Sequence, residues 1–373
     1  MNMDWWKNYN DEVLINHFQT LYENNHDLRI AALKTKQAEE NIRLAGANQL
    51  PQLGFDGSVS RVFRGPRTQF GSVVIPKYIQ NEIFLPLNAS YEIDIWGQNY
   101  LNRKSAKKQA EIAKQQERAA YIYITSSFAA DYYNLIKMDE LERNLLKIID
   151  LQKNIVSMTE KKYNSGLASI NEVLDEKQIL VNFEKDLNKL KENKKILNDE
   201  AVVLLGLNTD KAIELSDYQS ISFPQTPETL STTIIQFRPD LISSEDYVKK
   251  SGIDVRVARR DFLPKFILYG NLGFNAYKWN RMFAGETFLA NAGIAPRWDI
   301  FTGGIKMARY RINKYEYKKA VESYEKTVLT SIQEVNDALA EAKTTKANLI
   351  KSDEDYFIEK EKHILAEKQF SIG

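Results

Sequence analysis

The sequence predicts a mainly α protein built on very long helices, with four short β segments of the kind that cross a membrane. The first supporting observation is that windows 98–165 and 305–372 contain neither glycine nor proline. At 1.5 Å per residue, an unbroken helix over either window would reach on the order of 100 Å. Such a helix cannot satisfy its apolar stripe inside its own globule, so it must lie beside other long helices in a bundle, coiled coil or tube. The second is that the segments between the helices alternate apolar and polar residues with period two. The third is that the chain repeats itself.

The repeat is visible in short matching blocks. Asn25-His26-Asp27-Leu28 returns as Arg238-Pro239-Asp240-Leu241, and at the same offset Leu50-Pro51-Gln52-Leu53 returns as Leu263-Pro264-Lys265-Phe266. Tyr91 to Gly97 matches Arg297 to Gly303, and Lys162 to Gly166 matches Gln369 to Gly373. The first repeat therefore covers 1–206 and the second 228–373, joined by a linker at 207–227 that contains Pro224 and Pro227. Each repeat reads as helix, strand, loop, strand, very long helix and turn. The long helices are 98–165 and 305–372. Only the first repeat shows a return helix, 170–205. Its Leu180, Phe183, Leu187, Leu190, Leu197, Ala201 and Leu204 fall on three- and four-residue steps, a heptad seam. Ser169 with Glu172 forms a capping box at its start, and Gly206 is placed to end it.

The strands are expected at 53–63, 83–95, 266–276 and 288–300. In 83–95 one face carries Ile83, Leu85, Leu87, Ala89, Tyr91, Ile93 and Ile95, and the other Asn88, Ser90, Glu92 and Asp94. In 266–276, Phe266, Leu268, Leu272, Phe274 and Ala276 oppose Ile267, Tyr269, Asn271 and Asn275; in 288–300, Phe288, Ala290, Ala292, Ile294, Trp298 and Ile300 oppose Asn291, Arg297 and Asp299. The segments are long enough for the roughly 9–11 residues that a tilted strand needs to cross a bilayer. A soluble sheet with one face on a core would alternate in the same way, but little of the chain is left to cover it. In lipid, every backbone group must be paired and the sheet must close on itself. Four strands cannot do this alone, whereas three copies of the chain would supply twelve.

Composition narrows the function. Lys and Arg number 51 against 50 Asp and Glu, with net charge +1 and no clustered basic stripe, which argues against nucleic acid as a partner. There is no cysteine, which excludes thiolate chemistry from this stretch, and His17, His26 and His363 share no ligand spacing. No metal or other cofactor is expected, and no set of nucleophile, base and orienting group can be assembled, so an enzyme is not expected. No run of 18 apolar residues encodes a transmembrane helix.

Taken in order, Trp5-Trp6 with Asp11, Asn25 to Leu28, Ser90 to Gly97, Tyr163 to Gly166, Arg238 to Leu241, Leu263-Pro264 and Trp298 to Gly304 resemble the TolC-type outer membrane efflux channels, in particular those paired with resistance-nodulation-division pumps. The resemblance implies a homotrimer whose four strands per protomer contribute to a 12-stranded β-barrel in outer membrane lipid. The long helices would form a periplasmic α-barrel. The assembly would be a passive exit duct for drugs and small compounds, fed by an inner membrane pump through a periplasmic adaptor protein. The family's adaptor contact maps onto Tyr163, Asn164, Ser165, Gly166, Leu167, Ala168 and Ser169, and its periplasmic constriction onto Glu172 and Asp175.

Each of these residues also has a purely structural reading: Gly166 as a positive-φ turn, Glu172 as half of the capping box, Asp94 and Asp299 as helix caps, and Arg238-Pro239-Asp240 as a helix start. Against the family pattern, this sequence lacks an export signal and a lipid-bearing cysteine, and it ends where a second return helix should follow. It is therefore expected to be truncated at both ends, with an apolar stripe on 305–372 that would favour aggregation. The alternatives are a soluble coiled-coil scaffold and the periplasmic adaptor itself, although an adaptor would have one helical hairpin rather than two related copies.

Overall fold

The computed structural model describes residues 5–65, 67–69, 73–75, 77–221, 224 and 232–372. Parts of the expected linker, including Pro227, the first residues of the second repeat and Gly373 of the second turn lie outside the described residues. In chain order the elements are α1 (Glu12–Asn24), α2 (His26–Ala47), β1 (Gln52–Phe55), β2 (Ser58–Arg64), β3 (Arg67–Gln69), β4 (Val73–Ile75), β5 (Tyr78–Ile93), α3 (Gln98–Asn164), α4 (Ile170–Leu204), α5 (Pro239–Arg260), β6 (Lys265–Ala276), β7 (Phe288–Arg297) and α6 (Ile305–Ile372). Among the described residues no helix is long and apolar enough to cross a membrane. The chain forms two compact units that cut across the repeats. The first comprises Met1–Lys34, Lys114–Leu241 and Val328–Gly373, and the second Thr35–Ala113 and Ile242–Thr327.

The first unit is organised around aromatic side chains. Trp6, Phe18, Leu21, Phe128, Tyr132, Leu135, Ala201 and Leu205 form its core, and the Trp6 and Phe18 rings lie 4.6 Å apart. Asp11 is buried at the start of α1, where its carboxylate accepts from the Leu14 N–H at 3.0 Å, the Tyr132 hydroxyl at 3.0 Å and the Ser216 hydroxyl at 2.7 Å. It is a helix cap and an inter-element clamp at once. Asn25 also serves twice: its Oδ1 accepts from the Leu28 N–H at the start of α2, and its Nδ2 donates to the Leu204 carbonyl at 2.7 Å. That carbonyl belongs to the last turn of α4, which has no intrahelical donor left. Gly206 ends α4 with φ +69, and a Cβ there would sit 2.5 Å from the Asn24 carbonyl oxygen, so both conformation and space demand glycine. The stretch expected to be only a linker is partly built into this unit. The Ile213 N–H donates to Asn198 Oδ1, and His17 Nε2 bonds the Glu214 carbonyl.

In the second unit β1 and β2 both pair with β5, and β5, β6 and β7 follow in antiparallel order; β3 and β4 form a separate pair. Three strand expectations need correction. The first segment, 53–63, is broken at Asp56 and Gly57, opposite Pro86 and Leu85 of β5. Pro86 has no N–H to offer the ladder, so pairing lapses there and resumes beyond it. Segment 83–95 begins earlier, at Tyr78, while 288–300 stops at Arg297, just past Pro296. Beyond that point the Trp298 indole N–H donates to the Phe262 carbonyl, and after β5 the Trp96 indole N–H donates to the Pro264 carbonyl at 2.7 Å. The two matched aspartates behave differently. Asp94 accepts from the Asn99 and Tyr100 N–H groups and caps α3 as expected, whereas Asp299 faces the cations of Arg297 and Lys306.

Candidate functional site: the helix turn and the two-faced sheet

The turn between α3 and α4 is built by backbone geometry. Gly166 has φ +74; its N–H donates to the Tyr163 carbonyl at 2.9 Å and the Leu167 N–H to the Lys162 carbonyl at 2.8 Å, the paired bonds of a glycine-ended helix. The next helix opens at once. Glu172 N–H donates to Ser169 Oγ, while Ser169 N–H and Oγ–H both donate to Glu172 Oε1. The Glu172 carboxylate therefore has a structural task as half of a capping box. Tyr163 to Ser169 form one exposed apex, with Leu167 78% exposed, and Asp175 is exposed one turn beyond Glu172 on α4.

Behind the apex the two helices pack through a heptad seam. Leu135, Ile149, Gln152 and Val156 of α3 are buried on one line; on α4, Leu180, Phe183, Leu187 and Leu190 are half-buried and Ala201 is fully buried. The polar seam positions are matched across the pair. Gln152 donates to Glu176 Oε2 at 2.6 Å and to its carbonyl, and Lys194 donates to Asp139 at 2.6 Å and Glu142 at 2.9 Å. These pairs specify register, because a slip would strand each polar group among apolar ones. Hydrophobic spacing passes over Glu176 and Lys194; only the register of α4 on α3 identifies their role.

The Asp139 carboxyl is held below its usual value of 3.8, first by the Lys194 hydrogen bond and against the upward pull of burial. A depressed folded-state value gives stability that is complete above the unfolded value and lost as pH falls through the folded one. Asp139→Asn is therefore expected to destabilise the α3–α4 hairpin by about 0.2–1 kcal/mol at neutral pH. The difference should vanish on acidification below the carboxyl range, as read by denaturant melts of both proteins across pH. A second ion pair marks the start of α5. Arg238 donates to both Asp240 oxygens at 3.1 and 2.9 Å and to Glu334 of α6, and Pro239 takes the first helical position. Burial pushes the Asp240 carboxyl upward, but Arg238 outweighs it and keeps the carboxyl below its usual range.

The sheet of the second unit has two chemically distinct faces, fixed by register. Leu87 lies between Phe55 and Leu272, and Leu272 beside Ala290; with Leu53, Val59, Leu268, Phe274, Phe288 and Ile294 these residues share one apolar face. Leu53, Leu272 and Ile294 are 72%, 50% and 60% exposed. On the other face Asn88, Asn271 and Asn291 stand in one row across β5, β6 and β7. Asn88 donates to Asp56 at 2.8 Å, Asn271 to Asn291 at 3.0 Å, and Lys265 pairs with Glu92. A water-soluble sheet buries its apolar face and solvates its polar one. Here the apolar face is uncovered except at one end, where Met282 packs on Ile83 and Ala276 and Phe283 on Phe274, and the uncovered part is what lipid contact requires. Among the described residues no group of three or more His, Cys, Asp or Glu is placed to hold a metal ion.

The family model described as "Outer membrane efflux protein" matches residues 18–204 and 230–373. The chain belongs to the outer membrane efflux protein family. Among curated relatives, this efflux protein is 28% identical to the toluene efflux pump outer membrane protein TtgC of Pseudomonas putida, over 99% of this chain and 76% of that one. It is 24% identical to the pyoverdine export outer membrane protein OpmQ of Pseudomonas putida, over 90% of this chain and 72% of the relative. Among solved structures it is similar to the CmeC outer membrane channel of Campylobacter jejuni, with TM-score 0.83 and 26% identity over 91% of this chain and 72% of that one. It shares the fold of the outer membrane protein VceC of Vibrio cholerae, with TM-score 0.84 and 22% identity over 95% and 84% of the two chains. The efflux protein is thus a channel component of the outer membrane, with its strand section in that membrane and its helical section in the periplasm.

Proposed function

We propose that this efflux protein is the passive exit duct of a tripartite pump, assembled as a homotrimer and carrying no catalytic step. The carrying observation is the sheet. Its apolar face is exposed, and among the described residues its edges, β1 with β2 on one side and β7 on the other, have no partner strand. Open edges are untenable in lipid. The four strand positions, formed by β1 with β2, β5, β6 and β7, satisfy them when three copies close a cylinder of twelve. The lipid face is then continuous and the asparagine row lines the water-filled side. The exposed apex at Tyr163, Asn164, Ser165, Gly166, Leu167, Ala168 and Ser169 is the docking point for a periplasmic adaptor that connects to an inner membrane pump. Leu167 offers that partner an apolar contact. Glu172 and Asp175, just past the apex, narrow the periplasmic mouth, with Glu172 keeping its capping bonds to Ser169. Cell fractionation tests the assembly. The expected result is a heat-modifiable trimer in the outer membrane fraction, and a soluble monomer would overturn it.

A further inference from the structure

Away from the apex and the sheet, three helices of the second unit converge on a groove of about 760 Å3 whose lining carries cations and no carboxylate. On α3, Lys104 and Lys108 are four residues apart. On α5, Lys249, Gly252 and Arg256 follow three- and four-residue steps. On α6, Tyr310, Lys314 and Tyr317 do the same. Each helix therefore turns one face to the groove. Over the whole chain the charges nearly cancel, 51 basic against 50 acidic, so five cations at one groove is a local arrangement. Two of the five are already neutralised: Lys108 by Glu111 and by Asp246 at 3.0 Å, and Lys249 by Glu245 at 2.6 Å. Lys104, Arg256 and Lys314 have no carboxylate within ion-pair distance among the described residues. The floor is flat because residue 252 is glycine. A Cβ built there would lie 3.5 Å from Tyr317 Cε2, so the ring rests over the bare backbone.

We propose that this groove binds small organic anions with an aromatic body, the anionic group lying among Lys104, Arg256 and Lys314 and the ring lying against Tyr310 and Tyr317. Three unneutralised cations from separate helices repel one another until an anion is present. The guanidinium supplies the fork that suits a carboxylate or sulfonate, and the lysines add point charge. The tyrosines add flat apolar area with a hydroxyl at the rim. The volume falls in the range of small-molecule sites. The inference stands on the second unit alone and goes beyond the exit-duct reading.

Salicylate, ionised at neutral pH, is the probe, and equilibrium dialysis of the detergent-solubilised protein against matched micelles is the measurement. Binding by the unaltered protein is expected to weaken about tenfold, ~1.4 kcal/mol, in the combined variant Lys104→Gln, Arg256→Gln, Lys314→Gln. The combined variant Lys343→Gln, Lys346→Gln, Lys360→Gln changes net charge equally at exposed positions of α6 outside the groove, and should bind like the unaltered protein. Neutral benzyl alcohol should bind the unaltered protein at least about tenfold more weakly than salicylate does. Equal salicylate affinity in the two triple variants, no saturable salicylate binding, or equal binding of benzyl alcohol would each overturn the proposal. Because binding is read without transport, a heat-modifiable trimer that ignores salicylate removes this inference and leaves the exit duct standing.

Discussion

Leu272→Arg is expected to keep the efflux protein out of the outer membrane fraction. Leu272 lies in the middle of β6, on the apolar face between Leu87 and Ala290, and is half exposed within the chain. A cation at such a site near the bilayer midplane costs roughly 2–4 kcal/mol per strand, and every copy in the assembly would carry it. The neighbouring substitution is the control. Asn271 points to the opposite face, where it donates to Asn291, so Asn271→Arg should lose one hydrogen bond and leave membrane assembly intact. The ratio of trimer to unassembled chain in outer membrane preparations reads the difference. Equal loss in both variants would mean that the two faces do not see different solvents.

The second large effect is expected at Asp11. Removing its carboxylate uncaps α1 and takes an acceptor from the Tyr132 and Ser216 hydroxyls at one point of the first unit's core. A lost N-cap costs ~1 kcal/mol and each buried donor deprived of its acceptor about as much again or more. Asp11→Ala should therefore destabilise the first unit by about 3 kcal/mol. Asp11→Asn keeps a side-chain oxygen for the Leu14 N–H and should cost less than half as much. Burial is the main reason the Tyr132 hydroxyl is pushed up to about 12; the Ser216 hydrogen bonds oppose this and the Asp11 charge adds to it. Tyr132 therefore stays a neutral donor near pH 7, and the gap between the two variants should not change between pH 6 and 8. Denaturant midpoints followed by far-ultraviolet circular dichroism give both numbers. A fall in α-helix stability no larger for alanine than for asparagine would contradict the clamp.

What was legible in the sequence was whatever rests on local rules. Long runs without glycine or proline became α3 and α6. Ser169 and Glu172 formed their box, Gly166 and Gly206 took positive φ, and Pro239 opened α5. Alternation also placed Leu87, Leu272 and Ile294 on the apolar side of their strands, because period two needs no knowledge of the neighbour. What escaped depends on which element lies beside which. The gap at Asp56 and Gly57 follows from Pro86 on the adjacent strand. The triple role of Asp11 needs Tyr132 and Ser216, which are distant in sequence, and the roles of Glu176 and Lys194 need the register of α4 against α3. The cationic groove draws one face from each of three helices, so no single segment hints at it. The apex residues were marked only through family resemblance, since an exposed turn has no periodicity of its own.

The central claim is that the strands separate lipid from water, and the chain contains no cysteine, so single cysteines can be introduced one at a time along β6 without background. In intact outer membrane vesicles, a membrane-impermeant maleimide should label Tyr269→Cys, Asn271→Cys and Asn275→Cys from the aqueous lumen and leave Leu268→Cys, Leu272→Cys and Phe274→Cys protected; Gly273 is left unaltered, because a Cβ there would lie 2.1 Å from the Leu85 carbonyl oxygen. Uniform labelling along the strand, or alternation with the opposite phase, would contradict the channel.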